Sequence, residues 1–261
     1  MNALGTAATG MSAQSRRVDV IANNIANANT PGFKSGQVMF ADLLYQSLSR
    51  EGAVTSDSGT STPVAMDIGM GVRATGVMRQ NTQGTMTETG NDFDLAITGK
   101  GFFVINRPDG TIAYTRAGNF GRSPEGEMVT ADGFPVAPGI VLPEGTRDVT
   151  ISATGFVSAY VGNETVPQEI GQISLASFVN EAGLKAVGDN LLLETEASGA
   201  AVMGVPGDEG FGVVRQGYLE ASNVDSVQQM TSLIMAQRVY DLNSKAIKTA
   251  DEMLQTVNQI R

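Results

Sequence analysis

The sequence predicts an α+β protein in which long N- and C-terminal helices form a coiled coil and a central domain is antiparallel and all-β. Three observations support this fold class. The helix breakers Gly and Pro are scarce at both ends of the 261-residue chain and frequent in its middle. Apolar residues at both ends recur at alternating steps of three and four, as in a heptad seam. The middle alternates short β-rich stretches with turn signals.

The N-terminal helix is predicted from an apolar stripe that holds Leu4, Met11, Val18 and Ile25 at steps of seven. Between them lie Ala8, Ser15 and Ala22, and only Ser15 is polar. Thr30-Pro31-Gly32 should stop this helix, because the residue before a proline is pushed out of the α region.

The middle of the chain carries repeated turn signals, beginning with Pro108-Asp109-Gly110. Between these signals run the stretches 101–106 (GFFVIN), 111–116 (TIAYTR) and 149–152. Short strands at this spacing predict an antiparallel β domain.

The C-terminal helix is predicted from a second stripe, with Leu233, Tyr240, Ile247 and Leu254 at steps of seven. Ser222-Asn223-Val224-Asp225 precedes it and fits a Ser-x-x-acid capping box. The resulting boundaries are residues 1–32 for an N-terminal coiled-coil helix, 33–72 for an extended connecting segment, 73–216 for a β-rich outer domain and 217–261 for a C-terminal coiled-coil helix.

Neither helix is expected to be stable alone, because its apolar stripe needs a partner. The two ends could form one intramolecular hairpin, or they could also pack against further copies of the chain. Apolar residues outside the stripes favour assembly, since a helix that is apolar on more than one face is usually buried by several neighbours. The predicted self-assembly residues are Leu4, Met11, Val18, Ile25, Leu233, Tyr240, Ile247 and Leu254.

Composition excludes several functions. The chain has no Cys and no His, so thiol nucleophiles, Cys-ligated metals and imidazole bases are absent. Its net charge of -10 argues against nucleic-acid binding. No apolar run is long enough to span a bilayer, and residues 1–30 lack the pattern of a cleavable signal peptide. We expect no catalytic residue, metal or cofactor.

Pairs of acids are the remaining candidates for catalysis. Asp92 and Asp94, Glu125 and Glu127, and Glu194 and Glu196 each lie two residues apart. Glycosidases need carboxylates held across a cleft, and this spacing gives no evidence of one. Solvated surface acids are the simpler interpretation.

The negative charge is confined to the middle of the chain. Residues 41–221 hold 10 basic and 22 acidic residues, a net charge of -12, whereas residues 1–40 carry +2 and residues 222–261 are neutral. We hypothesise that the acidic middle is the outer surface of an assembly and that the near-neutral ends lie inside it.

Two signatures near the ends resemble the bacterial flagellar rod and hook family. The first is Ala22–Lys34 (ANNIANANTPGFK), and the second is Gly217–Val257, which begins GYLEASNVD. Between them, Ile97–Phe120 resembles the β domain of that family. The matching motif residues are Asn23, Asn24, Asn27, Thr30, Gly32, Phe33, Ser222, Asn223, Val224, Gln237 and Arg238.

The resemblance implies an axial structural protein without catalytic activity. The length excludes the larger hook protein. Residues Gln46–Met66 resemble the additional segment of the members that form the distal part of the rod, where it would keep the rod straight. A proximal rod protein is the alternative within the family, and an acidic β-rich hydrolase or binding module is the alternative from another class.

The resemblance also implies partners and a location. Copies of the chain would form a helical homopolymer within the basal body, in the rod that spans the periplasm. Its neighbours would be proximal rod proteins, the hook protein, the ring proteins that act as a bushing, and the flagellar export apparatus. We expect export without a cleavable signal peptide, and neither nucleic-acid binding nor direct membrane insertion.

Overall fold

The computed structural model describes residues 2–49, 66–162 and 166–259, with one long helix near each end and β-strands between. The chain divides into two compact units. The first unit comprises Met1–Ala26, Gly36–Met78 and Asp225–Arg261, and the second comprises Asn27–Ser35 and Arg79–Val224. Most of the Gln46–Met66 segment lies outside the described residues.

The first unit contains both helices. Helix α1 spans Asn2–Ala26 and helix α2 spans Ser226–Gln259. Strand β1 (Gly36–Asp42) pairs with β4 (Val72–Arg79), and β2 (Tyr45–Ser49) pairs with β3 (Met66–Gly69). Helix α1 packs against both α2 and β1.

The boundaries of the helices differ from those that the sequence predicts. Helix α1 ends at Ala26, before the predicted stop, and turns follow it. At the start of α2 the cap is Asp225, whose carboxylate accepts hydrogen bonds from the backbone N–H groups of Val227 (2.9 Å) and Gln228 (3.1 Å). Ser222 instead accepts a hydrogen bond from the N–H of Val224 (3.3 Å). The predicted capping box is therefore wrong, because Asp225 itself satisfies the unpaired donors of the first helical turn.

The second unit is a set of antiparallel sheets. Its strands are β5 (Met86–Glu88), β6 (Leu95–Thr98), β7 (Phe102–Asn106), β8 (Ile112–Thr115), β9 (Gly121–Arg122), β10 (Met128–Val129), β11 (Thr146–Ile151), β12 (Phe156–Val161), β13 (Gln168–Gln172), β14 (Leu175–Ser177), β15 (Lys185–Gly188), β16 (Leu191–Leu193), β17 (Val202–Gly204), β18 (Val213–Gln216) and β19 (Tyr218–Glu220). A six-stranded sheet has the order β15-β16-β8-β7-β14-β17, and a three-stranded sheet has the order β11-β12-β13. The remaining strands form the pairs β9–β10, β6–β18 and β5–β19.

Strand β7 separates two apolar clusters in the core of the second unit. Phe103 and Ile105 belong to the larger cluster, whereas Phe102 and Val104 belong to the smaller one. Successive side chains of a strand point to opposite faces, so a strand with apolar residues throughout is buried on both sides. The α+β class and the central antiparallel domain are confirmed, and the predicted strand at 101–106 is observed as β7.

Candidate functional site: the two terminal motifs

Asn24 joins α1 to β1 within the first unit. Its side-chain amide donates a hydrogen bond to the carbonyl of Gly36 and accepts one from the N–H of Gly36, both at 2.9 Å. The amide group also lies 3.4 Å from Oε1 of Gln229 on α2. Asn24 is only 2% exposed, so these bonds satisfy a buried polar group and fix the start of β1 to the helix.

The next residues of the N-terminal motif form the turn after α1. The side chain of Asn27 accepts a hydrogen bond from the hydroxyl of Thr30 (3.2 Å). Asn23, which precedes the turn on α1, is exposed. The backbone N–H of Phe33 donates to the carbonyl of Thr30 (3.3 Å). Asn27 and Thr30 therefore shape the turn that follows α1.

Gly32 lies where a larger residue does not fit. Its φ of +70° is in the left-handed region, and a Cβ atom built on it would lie 2.5 Å from the backbone nitrogen of Ala117. Its N–H donates to the carbonyl of Glu220 (2.8 Å). Glycine is required both by the backbone conformation and by the close approach of another chain segment.

Glu220 is the centre of a buried ionic cluster in the second unit. Its side chain is inaccessible to solvent and forms ion pairs with Lys34 and with Nη1 of Arg116 (3.4 Å). One carboxylate oxygen also accepts a hydrogen bond from the N–H of Gly84 (2.9 Å), and the Lys34 ammonium donates to the carbonyl of Thr82 (2.8 Å). Two cations therefore share one buried anion.

Burial is the main influence on the pKa values of Lys34 and Arg116. Loss of solvation lowers the pKa of Lys34 below its usual 10.5, although the hydrogen bond and the charge of Glu220 oppose this shift. Burial also lowers the pKa of Arg116, and Glu220 again acts in the opposite direction. Both effects follow from the cost of holding a charge away from water.

Arg116 reaches beyond the carboxylate. Its second guanidinium nitrogen donates to the carbonyl of Gly99 (2.7 Å), and the guanidinium carbon lies 5.3 Å from the centre of the Phe102 ring. A flat guanidinium can make both contacts at once, because its N–H donors lie in the plane of the guanidinium group and the face of that plane packs on the aromatic ring. The cluster thus connects the terminal motifs to the core strand β7.

Asn223 adds an uncharged connection beside the ionic cluster. Its side-chain oxygen accepts a hydrogen bond from the N–H of Ser35 (2.8 Å), and its amide nitrogen donates to the carbonyl of Gln80 (2.8 Å) and the hydroxyl of Thr82 (2.9 Å). One amide thus joins its own segment to two others, at Ser35 and at residues 80–82. The end of the N-terminal motif and the start of the C-terminal motif form a single structural element, which we call the motif junction (residues 32–35 and 220–223).

The remaining motif residues lie at or on α2. Val224 is half-buried just before the helix, and Gln237 and Arg238 are exposed on it. The structure therefore separates the motif residues into buried or half-buried residues near the motif junction and exposed residues on the two helices.

The two helices pack antiparallel, along a side of α1 that differs from the predicted one. A Cβ atom on Gly10 would lie 2.9 Å from the side chain of Asn243, and Asn24 approaches Gln229. The residues of α1 and α2 that are fully buried in the first unit are Ala13, Ile21, Asn24 and Ala236. On α1 these residues are not those of the predicted stripe.

The predicted self-assembly residues stay accessible in the single chain. Leu4, Met11, Val18, Ile25, Leu233 and Ile247 are half-buried, whereas Tyr240 is 43% and Leu254 41% exposed. Helix α2 exposes further large apolar side chains, namely Val227, Met230, Ile234, Met235, Val239, Leu242 and Met253. Surfaces of this extent on one helix are typical of protein–protein contacts.

The acid pairs do not form a catalytic arrangement in the described part of the chain. Asp94 accepts hydrogen bonds from Thr89 (2.6 Å) and Asn91 (3.2 Å), which hold a local turn. Glu125 accepts from Ser123 (2.8 Å), and Glu194 accepts from the N–H of Ala201 (3.2 Å). Among the described residues there is no group of three acids that could hold a metal ion, and no helix is apolar and long enough to cross a bilayer.

Lys34, Arg116 and Glu220 were not singled out from the sequence. Each lies within a stretch that resembles the family, as the last residue of ANNIANANTPGFK, in IAYTRAGNF and in GYLEASN. The charge of these residues within otherwise uncharged stretches is the one signal that the sequence offers. It does not identify their partners, since Lys34 and Glu220 are 186 residues apart.

The fold and the site define a structural protein whose terminal motifs hold backbone segments together. The N-terminal residues 4–34 match the family described as flagella basal body rod protein, and residues 215–260 match the C-terminal region of the flagellar basal body rod FlgEFG proteins. Residues 96–159 match the D1 domain of the flagellar hook protein FlgE/F/G family.

Whole-length relatives agree with these matches. The chain is 52% identical over 261 residues to the flagellar basal-body rod protein FlgG of Caulobacter vibrioides, covering 100% of both chains. It is 49% identical to the FlgG of Agrobacterium fabrum, covering 99% of each, and 37% identical to the FlgF of Caulobacter vibrioides, covering 91% of this chain and 89% of the other. The chain belongs to the flagellar basal-body rod protein family.

Proposed function

We propose that this chain is a structural axial protein, not an enzyme, that polymerises helically into the distal rod of the bacterial flagellar basal body. The observation that carries the proposal is the full-length similarity to FlgG, which includes both terminal signatures. Identity to the FlgG of Caulobacter vibrioides exceeds identity to its FlgF, which favours the distal over the proximal position. In that position the rod would transmit motor torque to the hook and form part of the export channel.

The terminal helices are proposed to form the inner tube. In each copy α1 and α2 would make a coiled coil, and the accessible stripes would contact the helices of other copies. The apolar area of these stripes supports this role, because each Å² of apolar surface that is buried favours association by about 25 cal/mol. A contact between different surfaces of identical subunits repeats without closing, and so produces a helical polymer.

We propose the partners from the chain's membership of the flagellar basal-body rod protein family. They are other copies of this chain, proximal rod proteins, the hook protein, the ring proteins and the flagellar export apparatus, with the rod crossing the periplasm. We further propose that the acidic residues of the middle segment face the ring proteins. Neutralising exposed acids such as Glu125 and Glu209 should then change motility or ring assembly in a salt-dependent manner, and unchanged behaviour would assign the charge to solubility.

Seeded polymerisation of the purified chain tests the proposed function. Concentrated or seeded protein should form straight tubes visible by electron microscopy, and the free subunit should lose its ends first under limited proteolysis. Val18→Asp in the α1 stripe should prevent tube growth, whereas Asp19→Asn on the neighbouring exposed position should not. A protease-resistant monomer that never lengthens seeds would contradict the proposal.

A further inference from the structure

The two halves of the motif junction lie side by side and run in the same direction. The N–H of Gly32 donates a hydrogen bond to the carbonyl of Glu220 (2.8 Å), and the N–H of Asn223 donates to the carbonyl of Phe33 (3.4 Å). Farther along, the N–H of Ser35 donates to the side-chain oxygen of Asn223 (2.8 Å). The residue numbers of the two halves rise together along the contact, so the two backbone segments are parallel.

These two halves lie at the two ends of the second unit. The unit begins at Asn27 and ends at Val224. Helix α1 ends at Ala26 and helix α2 begins at Ser226, so only a few residues join each helix to one half of the junction. A pull on the two ends of the chain therefore reaches the second unit through the motif junction.

Such a pull loads the junction in shear. The N-terminal half is pulled backward along the chain, toward α1, and the C-terminal half is pulled forward, toward α2. The hydrogen bonds cross from one backbone segment to the other, so sliding of the parallel halves stretches all of them together. Contacts that share a load in this way resist it better than contacts that break one after another.

A third segment braces both halves. The N–H of Gln80 donates to the carbonyl of Ser35 (2.8 Å), and the carbonyl of Gln80 accepts from the side-chain amide of Asn223 (2.8 Å). Farther along this segment, the N–H of Gly84 donates to the carboxylate of Glu220 (2.9 Å). The ion pair between the two halves is buried as well, so sliding would also separate opposite charges that are shielded from water.

The contacts between α1 and α2 are loaded differently. Gly10 lies near Asn243, and Asn24 lies near Gln229, so the start of α1 is near the end of α2. A pull on the two chain ends opens this antiparallel pair from its far end, one contact after another. The helices should therefore separate before the motif junction yields, and the junction should be the main resistance that follows.

We propose that the motif junction is a mechanical clamp that keeps the second unit folded when the two ends of the chain are under load. The load would be the torque that the rod transmits, so the inference rests on the proposed function. The clamp itself belongs to the single chain, because it depends on the parallel course of the two halves and on the buried ion pair between them. The paired terminal motifs thereby gain a mechanical role that is distinct from their contribution to stability.

Gln216 provides a matched control for Asn223. Both amides are half-buried and bridge separate segments of the second unit. The side chain of Gln216 accepts a hydrogen bond from the N–H of Ile151 (2.9 Å) and donates to the carbonyl of Val149 (2.6 Å). These bonds join β18 to β11 and do not cross the motif junction. Asn223→Ala and Gln216→Ala should therefore both lower the free energy of unfolding in urea, but only Asn223→Ala weakens the clamp.

Forced unfolding of single full-length chains tests the clamp. Handles on the two chain ends load the motif junction, and optical tweezers measure the unfolding rate of the second unit at constant force. Asn223→Ala should raise this rate by about tenfold or more, because it removes bonds that share the load. Gln216→Ala should change the rate by less than about threefold. Lys34→Met, which removes the ion pair between the halves, is a second clamp variant and should act as Asn223→Ala does.

A second pulling geometry distinguishes a clamp from general destabilisation. The chain has no cysteine, so handles can be attached through Asp132→Cys and Val179→Cys, at exposed positions outside the motif junction. In this geometry Asn223→Ala should leave the rate of the first rupture unchanged. Equal acceleration by Asn223→Ala in both geometries would overturn the clamp, as would a Gln216→Ala chain that is equally weak when it is pulled by its ends.

The outcomes separate the clamp from the proposed function. A chain that polymerises into tubes, but whose resistance does not depend on the pulling geometry, retains the proposed function and loses the clamp. A chain that shows the clamp but forms no tubes contradicts the proposed function and leaves the clamp without its source of load.

Discussion

The ammonium group of Lys34, at the end of the N-terminal motif, donates a hydrogen bond to the buried carboxylate of Glu220, at the start of the C-terminal motif. Each residue is almost completely inaccessible to solvent. Arg116 supplies a second cation to the same carboxylate. The motif junction therefore depends on one buried anion and on the two cations that are paired with it.

Glu220→Gln should strongly destabilise the protein. The substitution keeps the shape of the side chain but leaves Lys34 and Arg116 buried without a counter-charge, which costs about 3–5 kcal/mol. Urea unfolding monitored by circular dichroism measures the loss. Glu209→Gln, at an exposed position in the same unit, should change the free energy of unfolding by less than about 0.5 kcal/mol. A loss below about 1 kcal/mol for Glu220→Gln would show that the cations are solvated.

The contribution of Lys34 should depend on pH. Its pKa is lowered in the folded state, mainly by burial, from its usual 10.5. Below the lowered pKa the lysine is charged in both states, and the burial penalty is fully present. Between that pKa and 10.5 the unfolded state binds more protons, so the free energy of unfolding rises with pH.

Comparison with Lys34→Met isolates this effect. The unfolding free energy of the natural chain relative to the variant should increase as the pH rises through that window. Parallel denaturant titrations at a series of alkaline pH values give the difference. A decrease would instead indicate that the ion pair with Glu220 outweighs burial and raises the pKa.

Gly32→Ala should be far more costly than the same change at Gly110. Both glycines have positive φ values, +70° and +79°. The conformation alone costs about 1 kcal/mol or somewhat more. The new Cβ at position 32 would also collide with the backbone of Ala117, whereas at position 110 no atom lies within 4 Å.

The melting curves of both variants therefore separate conformational strain from steric collision. We expect a loss of roughly 3 kcal/mol or more for Gly32→Ala and about 1 kcal/mol for Gly110→Ala. Equal losses would mean that the segment near Ala117 moves aside at little cost.

Asn24→Ala should loosen the start of β1. The substitution leaves the N–H and carbonyl groups of Gly36 without their partner, at a cost of about 1–3 kcal/mol for each group that stays buried. Hydrogen exchange at the Gly36 amide gives the local effect, and the free energy of unfolding gives the global one. Ser12→Ala, at an exposed position on α1, is the control. Unchanged protection at Gly36 would show that water replaces the side chain.

Local patterns predicted the elements of the fold. The turn signal at Asp109-Gly110 is observed as a turn in which the Asp109 carboxylate accepts a hydrogen bond from the N–H of Thr111 (2.9 Å). The run GFFVIN predicted β7 because its apolar residues and its turn neighbours are adjacent in the sequence. Such interactions extend over a few residues and can be inferred without tertiary information.

Interactions over long sequence distances could not be predicted in this way. Periodicity identified a helix at the N-terminus, but the side that packs in the chain holds Gly10 and Asn24 instead of the stripe with Met11 and Val18. The choice depends on small residues that allow close approach and on an amide that binds Gly36. Likewise, the predicted capping box begins at Ser222, whereas the backbone geometry makes Asp225 the cap of α2.

The motif junction makes the intervening sequence a closed loop with a fixed base. Lys34 and Glu220 are joined at this base, and Asn223 binds Ser35 beside them. A peptide inserted at an exposed turn, such as the one at Gly110, would lengthen the loop without separating its two ends at Lys34 and Glu220. The chain is thereby suited to acquiring or exchanging modules within this loop during evolution, because the contacts at its base, and not its length, hold the two ends of the loop together.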